Sequence, residues 1–235
     1  YYSLARGVGM EKHDYLRQIS IFSELKDEFL EKIHKISRLR KYGKGRIIFM
    51  EGEPGEAFFY VKSGLVKISK LSGDGREHIL HILNEGHIFA EVTLFCKTEY
   101  PATAEVLEEA EIGMIKNEDL EKVIMENPEL ALQLIKYLNN RLVEAHMKIR
   151  NLALYDTYGR TAQALVKLAE DYGRKSVKGI ELDLNISRQE LANIVGTTRE
   201  TVIRALTAFK KEHSIDIDKS TITIMDMEKI KEWFR

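Results

Sequence analysis

The sequence predicts an α+β fold: an N-terminal β-roll (a jelly roll, or double-stranded β-helix), one long helix, and a C-terminal domain of short helices. Three observations predict it. Residues 42–115 alternate short β-rich runs with glycines, which is typical of a compact antiparallel roll. From Pro128 to Tyr155 apolar residues recur at intervals of three and four, which predicts a continuous helix. Beyond Asp156, helix-start signals at Ser187 and Thr197 indicate two short helices in succession.

Length and composition exclude several classes of protein. The 235 residues are 44% hydrophobic and 31% charged with a formal net charge of -1, an ordinary globular composition. The only cysteine, Cys96, excludes an intrachain disulfide and a cysteine-ligated cluster. Because no apolar run reaches about 18 residues and residues 1–9 lack an export signal, we expect a cytoplasmic protein with no membrane partner. Met10 is the expected native start.

The chain divides into three predicted segments. Residues 10–127 form the β-roll with N-terminal helices, 128–155 the long helix, and 156–235 the C-terminal domain. Apolar spacing from Phe22 to Ile36 predicts one opening helix, and the polar residues 174–179 predict a loop.

Two local signals add detail to this outline. Glu53-Pro54-Gly55 suits a type II turn with positive φ at Gly55. Asp156 is expected to cap the helix that opens the C-terminal domain.

The long helix carries an unbroken apolar stripe with heptad spacing, here called the dimer seam. A helix from Pro128 to Tyr155 would be roughly 42 Å long, more than one β-roll needs, so the stripe predicts a homodimer. Packing against its own domain alone is the alternative. The dimer seam consists of Ile135, Leu138, Leu142, Ala145, Ile149 and Leu152.

Residues 186–206 predict a helix-turn-helix. Ser187 with Glu190, and Thr197 with Glu200, have the spacing of capping boxes, and Gly196 suits a sharp turn with positive φ. Alternating residues from 215 to 224, turning at 218–220, predict a β-hairpin wing. Ala192 is small where the two helices would cross, and the shared core is expected to consist of Leu191, Val195, Val202 and Leu206.

The outward face of the second helix is polar and mostly basic, and its N-terminal part is where a recognition helix meets base edges. Arginine can donate two hydrogen bonds to guanine, and a carboxylate can accept one from cytosine. We therefore expect Arg199, Glu200 and Arg204 to read bases of double-stranded DNA. A solvated charged face is the alternative, and it weighs most for Lys210 or Lys211 taken alone. The residues expected to fix register through phosphates are Ser187, Arg188, Gln189, Thr197, Thr198 and Lys210.

These motifs, with Asn151-Leu152-Ala153-Leu154-Tyr155-Asp156 at the hinge and Tyr42-Gly43-Lys44-Gly45 opening the roll, resemble the Crp/Fnr family of bacterial transcription regulators from Ile19 to Asp226. The resemblance implies an effector-sensing β-roll, a dimerising helix, a winged helix-turn-helix DNA-binding domain and RNA polymerase as a partner. It also implies recognition of a palindrome of TGTGA-like half-sites.

The effector site matches the family only in part. Glu91 matches the carboxylate that cyclic-AMP sensors use for the ribose, but Pro101 and Ala102 stand where those sensors have an Arg-Ser pair for the cyclic phosphate. Ala145 and His146 replace their Thr-Ser pair for adenine. The phosphate would lose its bidentate partner. Cyclic AMP is therefore not the expected effector.

Other cofactors of the family do not fit either. Cys96 alone cannot hold an iron-sulfur cluster, and Val92 stands at the position of the haem histidine of carbon monoxide sensors. The effector thus stays an unknown small molecule. An equal alternative is that Glu91 and Arg141 form only a structural ion pair. The candidate pocket consists of Glu91, Thr93, Ala102, Thr103, Arg141, Ala145 and His146.

Two other functions are alternatives to this one. A cupin-like metal-binding protein would use histidines of the roll, but His78 and His81 are three apart and point to opposite faces of a strand. A cyclic-nucleotide-responsive regulatory module without DNA binding would serve an attached enzyme. The chain carries no Walker loop, nucleophile elbow or kinase motifs, so we expect neither a metal site nor catalysis.

Overall fold

The computed structural model describes residues 13–182, 186–218 and 221–235 and confirms the α+β fold. Contacts divide it into two compact units. The N-terminal unit comprises the described residues up to Lys70 together with Leu80–Arg141, and the C-terminal unit comprises Leu71–Ile79 and Leu142–Arg235. No helix within the described residues is long and apolar enough to cross a bilayer. The expected start at Met10 lies outside the described residues.

The opening helical prediction was wrong in extent. A short 3-10 helix spans Asp14–Gln18, and helix α1 runs only from Asp27 to Ile36. Phe22, upstream of α1, is fully buried, and its ring lies 6.4 Å from that of Phe58. The apolar spacing therefore continues through a turn because these side chains fill the core of the roll, not because one helix continues.

The β-roll is a six-stranded antiparallel sheet with the order β1-β6-β3-β4, in which β2 also pairs with β6 and β5 with β3. A stacked aromatic pair, Phe49 and Tyr100 at 3.9 Å between ring centroids, fills part of its core. The strands are β1 Arg38–Tyr42, β2 Ile47–Phe49, β3 Ala57–Leu71, β4 Glu77–Leu83, β5 Ile88–Phe89 and β6 Thr103–Lys116.

Gly55 does not take the positive φ that the type II turn predicted. Glycine is required there for a different reason: a Cβ at Gly55 would lie 2.4 Å from the carbonyl oxygen of Thr98 and 2.5 Å from the side chain of Thr93. The close approach of these segments, and not backbone conformation, excludes a side chain.

The long helix is present as predicted. Helix α2 spans Asn117–Glu126, and α3 spans Pro128–Leu154. The Asn127 Oδ1 accepts a hydrogen bond from the backbone N–H of Glu129 at 3.1 Å, so Asn127 caps the start of α3. At 1.5 Å per residue the helix is about 40 Å long.

In the C-terminal unit, helices of the described residues pack against a four-stranded sheet of order β7-β8-β10-β9. Asp156 caps α4, accepting from the N–H of Gly159 at 2.8 Å. The wing hairpin is confirmed, with residues 219–220 of its turn outside the described residues. The elements are α4 Thr157–Tyr172, β7 Gly173–Ser176, β8 Gly179–Leu182, α5 Arg188–Val195, α6 Arg199–Lys211, β9 Ile215–Asp218, β10 Thr221–Ile224 and α7 Met227–Lys231.

The loop predicted at residues 174–179 is instead a β-hairpin. Strands β7 and β8 pair over four positions, and β8 continues the wing sheet by pairing with β10. Leu182 is the only buried residue of this hairpin. Because the other residues are partly or fully exposed, the hairpin has the polar composition of a loop although its backbone is part of a sheet.

Candidate nucleic-acid interface and effector site

The helix-turn-helix begins with the predicted capping box. The Glu190 N–H donates to Ser187 Oγ at 3.1 Å, and the Ser187 N–H donates to Glu190 Oε2 at 2.7 Å. Helix α5 ends at Gly196, whose φ of 73° is the left-handed conformation that the turn requires. Ala192 is fully buried within the core that α5 and α6 share. These features fix the angle between the two helices.

The second predicted capping box was wrong by one residue. Thr198, not Thr197, caps α6 by accepting from the N–H of Thr201 at 3.3 Å. The N–H of Thr197 instead donates to the carbonyl of Ala192 at 3.0 Å, closing the end of α5. Thr197 therefore belongs to the turn, and Glu200 does not occupy the reciprocal position of a box.

Helix α6 has a packed face and a free face. Val202, Leu206 and Phe209 are buried in the core of the unit. The predicted base-reading side chains of Arg199, Glu200 and Arg204 are all exposed. A recognition helix enters the major groove in this arrangement, with its apolar face packed against its own domain and its polar N-terminal half exposed toward the DNA.

Thr201 is a site residue that the sequence did not reveal. Its Oγ1 accepts a hydrogen bond from Arg204 Nη2 at 3.1 Å and lies 3.0 Å from Thr198 Oγ1. Thr201 thus orients one predicted base-reading arginine from within the capping network. Thr198, Thr201 and Arg204 follow one another at intervals of three residues, which places neighbours on one helix face, and this spacing could have identified Thr201 from the sequence.

Lys210, predicted to contact phosphate, is engaged within the protein. Its Nζ lies 3.0 Å from Asp216 Oδ1 and donates to the carbonyl of Ile217 at 3.0 Å. This lysine, followed by the backbone N–H of Ile217, lowers the pKa of Asp216. Lys210 therefore holds strand β9 of the wing against the end of α6.

The other residues expected to fix register lie around the start of α5 and α6. Ser187, Gln189 and Thr198 are exposed, whereas Arg188 and Thr197 are half-buried. Gln189 Nε2 donates to the side-chain oxygen of Asn193 at 2.9 Å, one turn further along α5.

In the N-terminal unit the structure brings Glu91 and Arg141 together. Arg141 Nε lies 3.7 Å from Glu91 Oε1, with side chains 21% and 7% exposed. Burial raises the pKa of Glu91, an effect that Arg141 partly opposes. Arg141 Nη1 also donates to His81 Nδ1 at 2.9 Å, and its guanidinium lies 5.7 Å from the centre of the Tyr137 ring. His81 and Tyr137 were not among the predicted site residues.

The remaining predicted pocket residues do not present free groups there. The Thr93 hydroxyl donates to the carbonyl of Ala90 at 2.9 Å, and the Thr103 hydroxyl accepts from the N–H of Glu51 at 3.0 Å. Ala102 is buried. Ala145 and His146 are exposed on the part of α3 that belongs to the C-terminal unit.

The histidines considered for a metal each have a protein partner. His78 Nδ1 lies 2.8 Å from the carbonyl of Asn193, and His81 accepts from Arg141. Across the described ranges no group of three or more His, Cys, Asp or Glu residues could hold a metal ion.

Comparison with known proteins agrees with both halves of this description. Residues 39–127 match the cyclic nucleotide-binding domain, and residues 159–233 match the Crp-like helix-turn-helix domain. The anaerobic regulatory protein of Bacillus subtilis is 32% identical over 83% of this chain and 83% of its own. The CRP-like cAMP-activated global transcriptional regulator of Mycobacterium tuberculosis is 28% identical over 92% of this chain and 97% of its own.

A solved structure extends the similarity to the fold. The CRP/FNR-family transcriptional regulator TTHA1359 from Thermus thermophilus has a TM-score of 0.71 and 26% identity, covering 84% of this chain and 98% of that one. With a cyclic nucleotide-binding-type roll, a Crp-like helix-turn-helix and relatives that match most of its length, the chain belongs to the Crp/Fnr family of DNA-binding transcription regulators.

Proposed function

We propose that the chain acts as a homodimer that binds a palindrome of TGTGA-like half-sites and is regulated by a small effector in the β-roll. The observation that carries the proposal is the exposed trio Arg199, Glu200 and Arg204 on the N-terminal half of α6. Thr201 orients one of the two arginines. Bidentate arginine donors suit guanine, and a carboxylate between them suits cytosine. RNA polymerase is the expected protein partner, and the cytoplasm the expected compartment.

Homodimerisation is supported by the dimer seam. Along α3 the side chains of Ile135, Leu142, Ile149 and Leu152 are 53%, 54%, 64% and 63% exposed. Aliphatic side chains that repeat at heptad spacing and stay exposed in a single chain are what a coiled coil buries. A second copy of the same helix supplies the matching stripe, and two copies present two α6 helices to a two-fold palindrome.

The effector is proposed to be a small molecule other than cyclic AMP, held without haem or an iron-sulfur cluster. Although one relative is named as cAMP-activated, Pro101 and Ala102 provide neither the cation nor the hydroxyl that a cyclic phosphate needs. The buried pair of Glu91 and Arg141 is the polar centre of the proposed site.

DNA binding is tested by titrating a duplex with two inverted TGTGA halves against a scrambled duplex of the same composition, at several salt concentrations. We expect at least tenfold preference for the palindrome and a linear fall of log affinity with log salt. Arg204→Ala should lose about 1 to 3 kcal/mol on the palindrome and little on the scrambled duplex. Equal binding of both duplexes by the unaltered protein would contradict sequence-specific reading.

The effector proposal is tested by native mass spectrometry of the freshly purified protein, followed by thermal-shift screening of metabolites with cyclic AMP included. Stabilisation by cyclic AMP at micromolar concentration would overturn its exclusion. Stoichiometric metal in the purified protein would favour the cupin-like function instead.

A further inference from the structure

Residues 38–46 of the β-roll, here called the basic segment, include strand β1 and the turn that leads to β2. Five of these nine residues are lysine or arginine, and none is aspartate or glutamate. Neither the candidate effector site nor the helix-turn-helix contains any of them. The cationic side chains are all exposed, and they belong to Arg38, Arg40, Lys41, Lys44 and Arg46. Positive charge of this density on one short segment indicates an anionic partner.

The turn between β1 and β2, residues 43–46, has a fixed backbone. Both strands pair with β6, one after the other along it, so the turn lies between two paired positions. The Arg46 N–H closes the turn by donating to the carbonyl of Gly43 at 3.2 Å. The Gly45 N–H donates to the carbonyl of Val106 on β6 at 2.7 Å, and the φ of Gly45 is 77°, which favours glycine. The cations at each end of the turn are therefore anchored to the sheet.

A cavity of about 450 Å³ opens at this turn, entirely within the N-terminal unit. Binding sites for small organic molecules commonly have volumes between about 300 and 1,000 Å³. The cationic side chains that line the cavity are those of Arg40, Lys41 and Arg46, and apolar surface comes from Tyr42, Ile47 and Ile48. A lining that joins positive charge to aromatic and aliphatic carbon suits an anion with an organic part.

The acids of β6 that lie opposite paired residues of β1 and β2 already have lysine partners on β3. Glu111, opposite Lys41, has a carboxylate oxygen 2.9 Å from Lys62 Nζ. Glu105, opposite the start of β2, has a carboxylate oxygen 3.1 Å from Lys67 Nζ. Both glutamates are therefore paired with cations outside the basic segment.

The basic segment keeps an excess of positive charge. Within the described residues its five cations form no ion pair. Glu108 and Glu109 are exposed on β6 between the positions that contact Tyr42 and Gly45, so two acids stand near five cations. Like charges held this close repel one another, and an anion bound among them would relieve that repulsion.

We propose that this cavity is a second ligand site of the β-roll and binds a small organic phosphate, with Arg40 and Arg46 as its principal phosphate ligands. A guanidinium can donate two parallel hydrogen bonds to one phosphate group, and Lys41 adds a third positive charge. Three cations around one cavity favour a ligand with two phosphate groups. The Tyr42 ring provides the surface for its sugar or base. The proposal goes beyond the proposed function and does not depend on it, because no residue of the effector site, the dimer seam or α6 takes part.

The test is isothermal titration calorimetry of the full chain at about 0.15 M ionic strength, where exposed charges further apart than about 8 Å are largely screened. The ligands are ADP, fructose bisphosphate and inorganic pyrophosphate, which distinguish a nucleotide from a sugar phosphate and from phosphate alone. We expect one ADP or one fructose bisphosphate per chain, bound at least threefold more tightly than pyrophosphate. Equal affinity for pyrophosphate would overturn the role of the organic part, and no binding of either organic phosphate at about 1 mM would overturn the site.

Substitutions of the arginines localise the bound phosphate. Arg40→Gln and Arg46→Gln each remove a proposed phosphate ligand and should weaken binding of the preferred ligand at least fivefold. Arg40→Lys keeps the charge but loses the fork of donors, so it should weaken binding at least twofold. Arg38→Gln is the matched control, because it removes an exposed cation of the same strand that does not line the cavity, and it should change the affinity less than twofold. Equal losses from Arg38→Gln and Arg40→Gln would indicate diffuse attraction and overturn the proposal.

Gly43→Gln tests the cavity without changing any charge. A Cβ at Gly43 would meet no heavy atom within 4 Å, and the φ of Gly43 is not positive, so the variant should fold. Its side chain narrows the cavity and should weaken binding at least threefold. Unchanged affinity in Gly43→Gln, Arg40→Gln and Arg46→Gln would place the phosphate elsewhere on the chain and refute the proposal. Weaker binding of a scrambled duplex by the arginine variants, with no small phosphate bound by the parent, would assign the basic segment to a nucleic acid instead.

Discussion

The carboxylate of Glu91 and the guanidinium of Arg141 lie 3.7 Å apart in a site where only 7% of the Glu91 side chain is exposed. Burial disfavours the charged carboxylate, and the arginine favours it; burial is the larger effect, so the pKa of Glu91 is raised. The pair is close enough to persist as an ion pair and polar enough for a ligand to replace one partner.

The raised pKa makes a prediction about stability and pH. A carboxyl whose pKa is higher in the folded than in the unfolded protein binds more protons when folded, so its contribution is fully present below the ordinary value of 4.5. That contribution is lost as the pH rises through the folded pKa. We expect the free energy of unfolding of the parent, relative to Glu91→Gln, to fall as the pH rises above 4.5 and through the raised pKa of Glu91. Urea unfolding measures it; the exposed Glu109→Gln variant is the control and should track the parent.

The corrected start of α6 predicts which threonine stabilises the helix. Thr198→Ala removes the cap on the N–H of Thr201 and should lower the free energy of unfolding by about 1 kcal/mol. Thr197→Ala removes no capping bond and should cost less than half as much. Thermal or urea unfolding of the matched pair checks this. A larger loss of stability from Thr197→Ala than from Thr198→Ala would show that Thr197 caps α6, as the sequence predicts.

The dimer seam predicts a difference between two adjacent residues of α3. Leu142→Glu places charge on the seam and should yield monomers at micromolar concentration, with at least a tenfold loss of affinity for the palindrome. Val143→Glu alters an equally exposed apolar residue about 100° around the helix and should stay dimeric. Sedimentation equilibrium distinguishes them; a monomeric parent would contradict the proposal.

The hydrogen bond from Arg204 to Thr201 predicts that Thr201 affects base discrimination. Thr201→Val keeps the shape of the side chain but removes the acceptor for Arg204 Nη2. We expect a three- to tenfold loss of discrimination at the base pair that Arg204 is proposed to read, and recovery with Thr201→Ser. Competition binding with single-base variants of the half-site measures it. A uniform loss on every duplex would show that the hydroxyl only stabilises α6.

Much of the helix-turn-helix could be predicted from the sequence because its signals are local. The Ser187–Glu190 box and the turn at Gly196 each depend on residues within a few positions of one another. The end of α5 could not be separated from the start of α6 in the same way. Thr197 and Thr198 both have the side chain of a cap, and the hydrogen bond from the N–H of Thr197 back to the carbonyl of Ala192 decides between them.

The contacts of the candidate effector site could be predicted only in part, because its residues are remote from one another in sequence. Glu91 and Arg141 were identified as residues, but the pairing of Arg141 with His81 joins positions 60 residues apart. Thr93 and Thr103 carried the right chemistry for a pocket, yet their hydroxyls bond to nearby backbone. No periodicity distinguishes a hydroxyl that faces a cavity from one that satisfies a loop.

Helix α3 begins in one compact unit and ends in the other, and after Pro128 it contains neither glycine nor proline. Because α3 is continuous, the number of residues alone fixes the angle around the helix axis between its first and last side chains. Each inserted residue would turn the downstream part of α3 by about 100° around the helix axis, whereas seven inserted residues restore the angle to within about 20°. Chimaeras that exchange halves with a relative should therefore function only when their junctions preserve whole heptads.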